Sequence, residues 1–416
     1  MTRTSERVSR RLLVHRFMSE SGILSFPRKR ESSTGFRMAR MPFKSDLGSR
    51  FRGNDVGGGR LGVTALGASL AGLLLATLLT ISALAADKLP NVVVLATGGT
   101  IAGAAASDVQ AAYTSGQVGV EQLLAAVPQA KKLAVMRGEQ IANIGSQDMN
   151  DEVWLKLARR INELTAMSDV DGIVITHGTD TIEESAYFLN LVVKSKKPIV
   201  LTAAMRPSTA LSADGPLNFF NAVAVAASKD AAGRGVLVVA NDWIHGAGSL
   251  TKTSTTAVQT FLSPLSGLIG TVAYGEAEFY RGPVGRSGAD SEFSLDGVTS
   301  LPRVDIVMAH ENMDGKLIEA AVAAGAKGIV IAGVGNGNMT QPALDSLAAQ
   351  AKKGIVCVRS SRVTTGRVGR NVEVNDDKLG LVASDALNPQ KARVLLRLAL
   401  LKPRSLADVQ RLFREY

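Results

Sequence analysis

Short continuous apolar runs alternate along the chain with stretches in which apolar side chains recur every three or four positions. The runs at residues 92–95, 172–176, 198–204, 235–240, 304–308, 328–332 and 354–359 are rich in Val and Ile. Such runs fit strands buried on both faces of a parallel sheet. Between them, three-to-four spacing predicts helices over residues 120–127, 152–164, 316–323 and 342–351. Another helix opens after Thr181, where Glu184 three positions on completes a capping-box pattern. Pro216 marks a further first turn, and Asn388 before Pro389 caps the last long helix. Strand and helix in alternation predict an α/β protein with parallel sheets. Residues 281–302 are Gly-, Ser- and Asp-rich without periodicity and read as a linker. It separates a larger domain, residues 87–280, from a smaller one, residues 303–416.

Polar residues cluster where the strands end. The run at 92–95 leads into Gly98-Gly99 flanked by Thr97 and Thr100, a turn in which side-chain-bearing residues would hinder close backbone approach. In open α/β sheets, ligands sit beyond these carboxyl ends. The turn is no P-loop, because no lysine follows until Lys131, and the glycines at 98, 99 and 103 do not make a dinucleotide fingerprint. The next strand ends in Gly145-Ser146-Gln147-Asp148, and the one after in His177-Gly178-Thr179-Asp180. Thr100, Thr179 and Asp180 are thereby expected at one rim, facing the unpaired N–H groups of the helix that starts at Thr181. A polar loop over residues 107–119 carries Tyr113, and a later loop carries Lys252 between two threonines. Taken singly, each has an ordinary explanation: a threonine bonding its own turn, a tyrosine packed by its ring, a solvated lysine.

The net charge of +10 changes little once located. Residues 1–60 hold 14 Lys and Arg against 5 Asp and Glu, which accounts for nine of the ten charges. The remainder gives no electrostatic case for nucleic acid. Residues 61–86 contain no charge and end in Ala83-Leu84-Ala85-Ala86 after Arg60. A positive flank, an apolar segment and a small-residue site make a secretory signal. Cleavage near Ala85 or Ala86, which would leave no stable membrane association, is expected over the competing reading of an uncleaved membrane anchor that the length permits. The preceding basic leader is long for such a signal, and the expectation is that translation starts downstream, for instance at Met41. The single cysteine, Cys357, lies in the apolar run GIVCVRS, so an intramolecular disulfide is excluded and a core role is expected. His15, His177, His245 and His310 have no metal-ligand spacing, and no cofactor or metal is expected.

The motifs ATGGTIAG, GSQDMND, ITHGTDTIEE, AMRPSTALSADGP and TKT occur in this order, followed by AGVGNGN, VRSSRV and LNPQKARVLL. Over residues 89–416 the chain resembles the bacterial L-asparaginases, specifically the secreted type II form. That resemblance implies a two-domain L-asparaginase-like α/β fold, with a larger N-terminal flavodoxin-like sheet domain and a smaller C-terminal parallel-sheet domain. It implies hydrolysis of L-asparagine, with Thr100 as nucleophile, Tyr113 relaying its proton, and Glu373 orienting Tyr113. Thr179, Lys252 and Asp180 would form a second triad. Gly99, Ser146, Gln147, Gly178, Thr179, Asp180 and Asn338 would bind substrate. Glu373 and Asn338 would reach the site from a neighbouring subunit of a homotetramer.

GSQ and GNGN look like the asparagine-preferring members; broader glutaminase-asparaginases tend to carry Glu and Ser at the positions of Gln147 and Asn338. One departure is local. Where the family often has an Arg-Asp pair before the lysine, this chain reads His245-Gly246-Ala247-Gly248-Ser249-Leu250, which implies a differently anchored Lys252 loop. The residues alone also leave open a periplasmic amino-acid-binding module, which would need the charge-recognising groups but not the two threonines, Tyr113 and Lys252 together. An intracellular form of the same enzyme is the alternative if residues 61–86 do not direct export.

Overall fold

The computed structural model describes residues 88–105, 113–114 and 119–416. The basic leader and the apolar segment 61–86 lie outside the described residues, as do most of the loop 107–119 and the side chain of Tyr113. The first part of the chain forms strands β1 (Asn91–Gly98), β2 (Ala104–Ala105), β3 (Tyr113–Thr114), β4 (Val135–Ile144), β5 (Gly172–Thr176) and β6 (Ile199–Thr202). It continues with β7 (Val236–Ala240), β8 (Trp243–Gly246), β9 (Thr251–Lys252), β10 (Phe261–Leu262), β11 (Gly270–Ala273) and β12 (Glu276–Phe279).

Eight of these strands form one sheet in the order β12-β11-β8-β7-β6-β5-β1-β4. The β4-β1-β5-β6-β7 portion is parallel throughout. Numbered among themselves these five strands run 2-1-3-4-5, the flavodoxin-like order, and its switch point lies between β1 and β5. Strands β8, β11 and β12 add an antiparallel flank. Thr97 Oγ1 donates to the carbonyl of Thr176 at 2.9 Å, which fastens the carboxyl ends of β1 and β5 together at that point.

Alternation along the buried strands divides the side chains between two layers. Val93, Leu95, Ile173, Ile175, Leu201 and Val238 face helices Asp151–Ala166 and Ile182–Val192, whereas Val92, Val94, Val174, Val200 and Val239 face helix Gly215–Ala227. Trp154 and Phe188 stack at 4.8 Å, locking the first two helices. Helix Val120–Ala126 packs beside β4 on the second layer.

The second domain is a four-stranded parallel sheet of β13 (Val304–Met308), β14 (Gly328–Gly333), β15 (Val356–Ser361) and β16 (Leu381–Ala383) in sequential order. One face, with Ile329, Ile331 and Cys357, packs on helices Lys316–Ala323 and Gln341–Lys352. From the other face, Val304, Val330, Val358 and Val382 join helices Pro389–Ala399 and Leu406–Glu415 in the same core cluster that covers the larger sheet. The connecting segment 281–302 takes part in this core through Phe293, Leu295 and Leu301 rather than hanging as a free tether. Cys357 is buried as expected, and burial pushes its thiol up to about 12.

Two local expectations need correction. Thr181 stands at the N-cap of Ile182–Val192, but its hydroxyl donates to the carbonyl of Ser146 at 2.7 Å and accepts no cap bond. Glu184 instead faces Arg393 at 3.8 Å, and burial raises its carboxyl above the ordinary value despite that cation. The expected Lys252 loop is a short strand, with Lys252 opposite Phe261.

The glycine turn after β1 is closely fitted. Gly99 has φ of +80°, its N–H donates to Ile144 O at 2.9 Å, and a Cβ there would overlap the backbone of Gly178. Gly99→Ala should therefore lower stability by about 2–5 kcal/mol, from strain plus overpacking. Urea unfolding of the two proteins checks this.

Candidate active site

Three turns leaving β1, β4 and β5 meet at the switch point. Gly99 packs on Gly178, and a Cβ on Gly178 would in turn overlap the side chain of Ser146. Ser146 lies in a single 3-10 turn after β4, and its hydroxyl accepts the N–H of Asp180 at 3.1 Å. With the Thr181 bond to its carbonyl, Ser146 holds the turn after β5 from two sides. Thr100 opens its own 3-10 turn and is nearly buried, as is Thr179. Two hydroxyls thus sit at the mouth of adjacent strands.

Lys252, on the separate β9–β10 ladder, completes the cluster. Its Nζ donates to Thr179 Oγ1 at 2.9 Å and lies 2.6 Å from Asp180 Oδ1. The ammonium is largely covered, while the Asp180 side chain is 57% exposed, so this carboxylate reaches into solvent at the rim. Gln147 is also exposed and packs back over Gly145.

His177 is buried beneath the turn. Its Nδ1 lies 2.7 Å from the carbonyl of Gly178, which can only accept, so Nδ1 carries the proton. Nε2 is buried with no partner among the described residues. Burial lowers the imidazole from 6.5 to about 4, a shift the Gly178 carbonyl only partly opposes. His245 behaves alike: Nδ1 lies 2.9 Å from Ser263 Oγ, and burial lowers the ring to about 4.

Asn338 and Glu373 come from the second domain and pair with each other, Asn338 Nδ2 donating to Glu373 Oε2. Among the described residues their side chains make no hydrogen bond to Ser146, Thr179 or Asp180 of the same chain. Two residues that sequence patterning does not single out lie beneath them. Arg359 and Asp376, both fully buried, form a two-pronged pair at 2.6 and 2.8 Å. Arg359 also donates to the carbonyls of Asn336 and Gly337 at 3.1 and 3.2 Å, and of Gly369 at 3.1 Å. Asp376 accepts the N–H of Asn371 at 2.8 Å. One guanidinium therefore sets the spacing of the loops that carry Asn338 and Glu373. The available signal was an arginine closing the apolar run GIVCVRS.

The asparaginase N-terminal family model matches residues 91–285 and the glutaminase/asparaginase C-terminal domain matches residues 303–413. The chain belongs to the asparaginase/glutaminase family. It is 52% identical over 338 residues to "Probable L-asparaginase periplasmic" of Haemophilus influenzae, covering 81% of this chain and 96% of that protein. It is 52% identical over 332 residues to "L-asparaginase 2" of Escherichia coli K12, covering 80% and 95%. Among solved structures it is similar to the crystal structure of a probable cytoplasmic L-asparaginase from Campylobacter jejuni. That match has a TM-score of 0.76 at 46% identity and covers 79% of this chain and all of that one. The shared architecture is the two-domain asparaginase fold.

The buried histidines give this fold a pH dependence. The folded state keeps His177 and His245 neutral down to about pH 4, whereas in the unfolded chain both protonate near 6.5. The unfolded state binds more protons between these values, so stability rises with pH there. It is lost as pH falls, by about 1.4 kcal/mol per pH unit for each histidine. Denaturation midpoints across this range check the slope, which His177→Gln should reduce.

Proposed function

We propose that the chain hydrolyses L-asparagine to L-aspartate and ammonia through acylation of Thr100, with minor activity on L-glutamine. The observation that carries this reading is the Lys252 ammonium bonded at once to Thr179 Oγ1 and Asp180 Oδ1, at the rim where Thr100 also lies. A pocket that only held an amino acid would need the carboxylate but not a lysine clamped on a threonine hydroxyl.

Thr100 Oγ attacks the amide carbon, and its proton leaves through Tyr113, which Glu373 of a second copy orients. The C–N bond then breaks, ammonia departs with a proton, and water hydrolyses the threonyl ester to release aspartate. An unassisted hydroxyl is a weak nucleophile, and a positioned base supplies about 10²–10⁴ in rate. Because Thr179 Oγ1 accepts from Lys252, its own proton is free to turn toward the reacting amide. The backbone N–H of Gly178 and the Ser146 hydroxyl, whose oxygen accepts from Asp180 N–H, suit the substrate carboxylate, and Gly99 would line the same pocket by its close backbone approach. The second Asp180 oxygen and Gln147 suit the substrate ammonium, with Asn338 joining from the second copy. Such sharing needs at least two copies, the proposed assembly is a homotetramer, and the periplasm named for the Haemophilus influenzae relative is the proposed location.

Ammonia release from asparagine tests the nucleophile. Thr100→Ala should lower kcat by at least about 10³-fold, and retained turnover would move the role to Thr179. Selectivity is a separate measurement. Discrimination over one methylene is worth about 1–3 kcal/mol, so asparagine should be turned over at least about tenfold more efficiently than glutamine. Equal kcat/KM values would count against the preference.

A further inference from the structure

Lys252 stands on a two-residue strand whose ladder, to Phe261–Leu262, fixes the backbone from one side only. The anchor on the other side comes from the second domain. Leu250 precedes the strand, is fully buried, and accepts at its carbonyl a hydrogen bond from Lys391 Nζ. Lys391 lies in the first turn of helix Pro389–Ala399. The same ammonium is 3.0 Å from Glu183 Oε2, with side-chain exposures of only 3% and 6% for the pair. Glu183 also accepts from Asn388 Nδ2 at 2.9 Å and Gln390 Nε2 at 3.2 Å. Glu183 follows Asp180 by three positions and Leu250 precedes Lys252 by two, so one buried ammonium ties together the two segments that meet at Lys252 Nζ.

A lysine that only fastened the two domains would be poorly chosen. Removing two charges from water is expensive, and a well-packed apolar side chain of similar volume is often as stabilising. What an apolar side chain could not supply is the bond to the Leu250 carbonyl.

We propose that Lys391 is a positioning residue for the hydrolysis, holding Lys252 on Thr179 by bridging the Leu250 carbonyl to Glu183. The inference rests on the role given above to Lys252, Thr179 and Asp180. Through this bridge the second domain shapes the first-domain site of its own chain, separately from what a second copy supplies.

The test compares asparagine turnover by the full chain carrying Lys391→Met, Lys252→Ala, or both, at enzyme concentrations that make a loss of about 10⁴-fold readable. Lys391→Met alone should lower kcat about tenfold or more while KM changes less than about threefold. In the Lys252→Ala background the same substitution should lower kcat by less than about twofold, since the group being positioned is gone. An equal Lys391→Met loss in both backgrounds overturns the proposal, because the residue would then act on the fold at large. Full activity of Lys391→Met overturns it too. Full activity of Lys252→Ala is a different failure, that of the triad itself, and takes the proposal with it. If Lys391→Met does not fold, Lys391→Gln, which keeps a donor for Glu183 on a shorter side chain, is read against the same two backgrounds.

Discussion

Backbones leaving neighbouring parallel strands are held apart by the side chains of their first turns, and here that separation has been removed. Gly99 lies on Gly178, and Gly178 on Ser146, with no space for a Cβ at either glycine. The fit lies at the switch point of the sheet, where the helices that follow β1 and β5 leave on opposite faces and open a crevice. Because the turns touch, Thr100, Ser146 and Thr179 are fixed relative to one another by backbone rather than by flexible side chains. Preorganisation of that kind lets donors act on developing charge without being rearranged at the moment of reaction.

The second consequence of the architecture is mechanical. A single apolar cluster runs from the larger sheet through helices Ile182–Val192 and Pro389–Ala399 to one face of the smaller sheet. Close-packed interiors transmit displacement rather than absorb it. A polar contact carried on Pro389–Ala399 is therefore held as firmly as one made within the first domain. The Arg359–Asp376 pair works differently. It is confined to the second domain, where it spaces the two loops that carry Asn338 and Glu373.

Much of this could be read along the chain. The parallel strands were visible as Val- and Ile-rich runs, and the glycine turns and the helix over Asp151–Ala166 by their punctuation and spacing. Local rules failed where a distant group competed. Thr181 and Glu184 had the spacing of a capping box, yet Thr181 found the carbonyl of Ser146 and Glu184 found Arg393, partners that spacing cannot reveal. Strand β9 is too short to show any period. The same limit hid the ionic anchors: Glu183 and Lys391 are separated by 208 positions, and neither differs locally from a solvated surface charge. Thr179, Asp180 and Lys252 became legible as a group only through the ordered set of family motifs, since their meeting depends on the fold.

The start of helix Ile182–Val192 explains why two lysines converge there at all. Unpaired N–H groups give a helix N-terminus a partial positive charge, which favours carboxylates and repels ammonium groups. Asp180 and Glu183 answer that field, one just outside the helix and one in its first turn. Each then recruits a cation of its own, Lys252 at the rim and Lys391 in the core. Neither lysine would be stable beside the helix end without its carboxylate. The pairing therefore does more than neutralise charge: it determines where each ammonium can sit. Lys252 is left with a donor on Thr179 and Lys391 with a donor on the Leu250 carbonyl just before the strand that carries Lys252, so one helix terminus organises both ammonium groups.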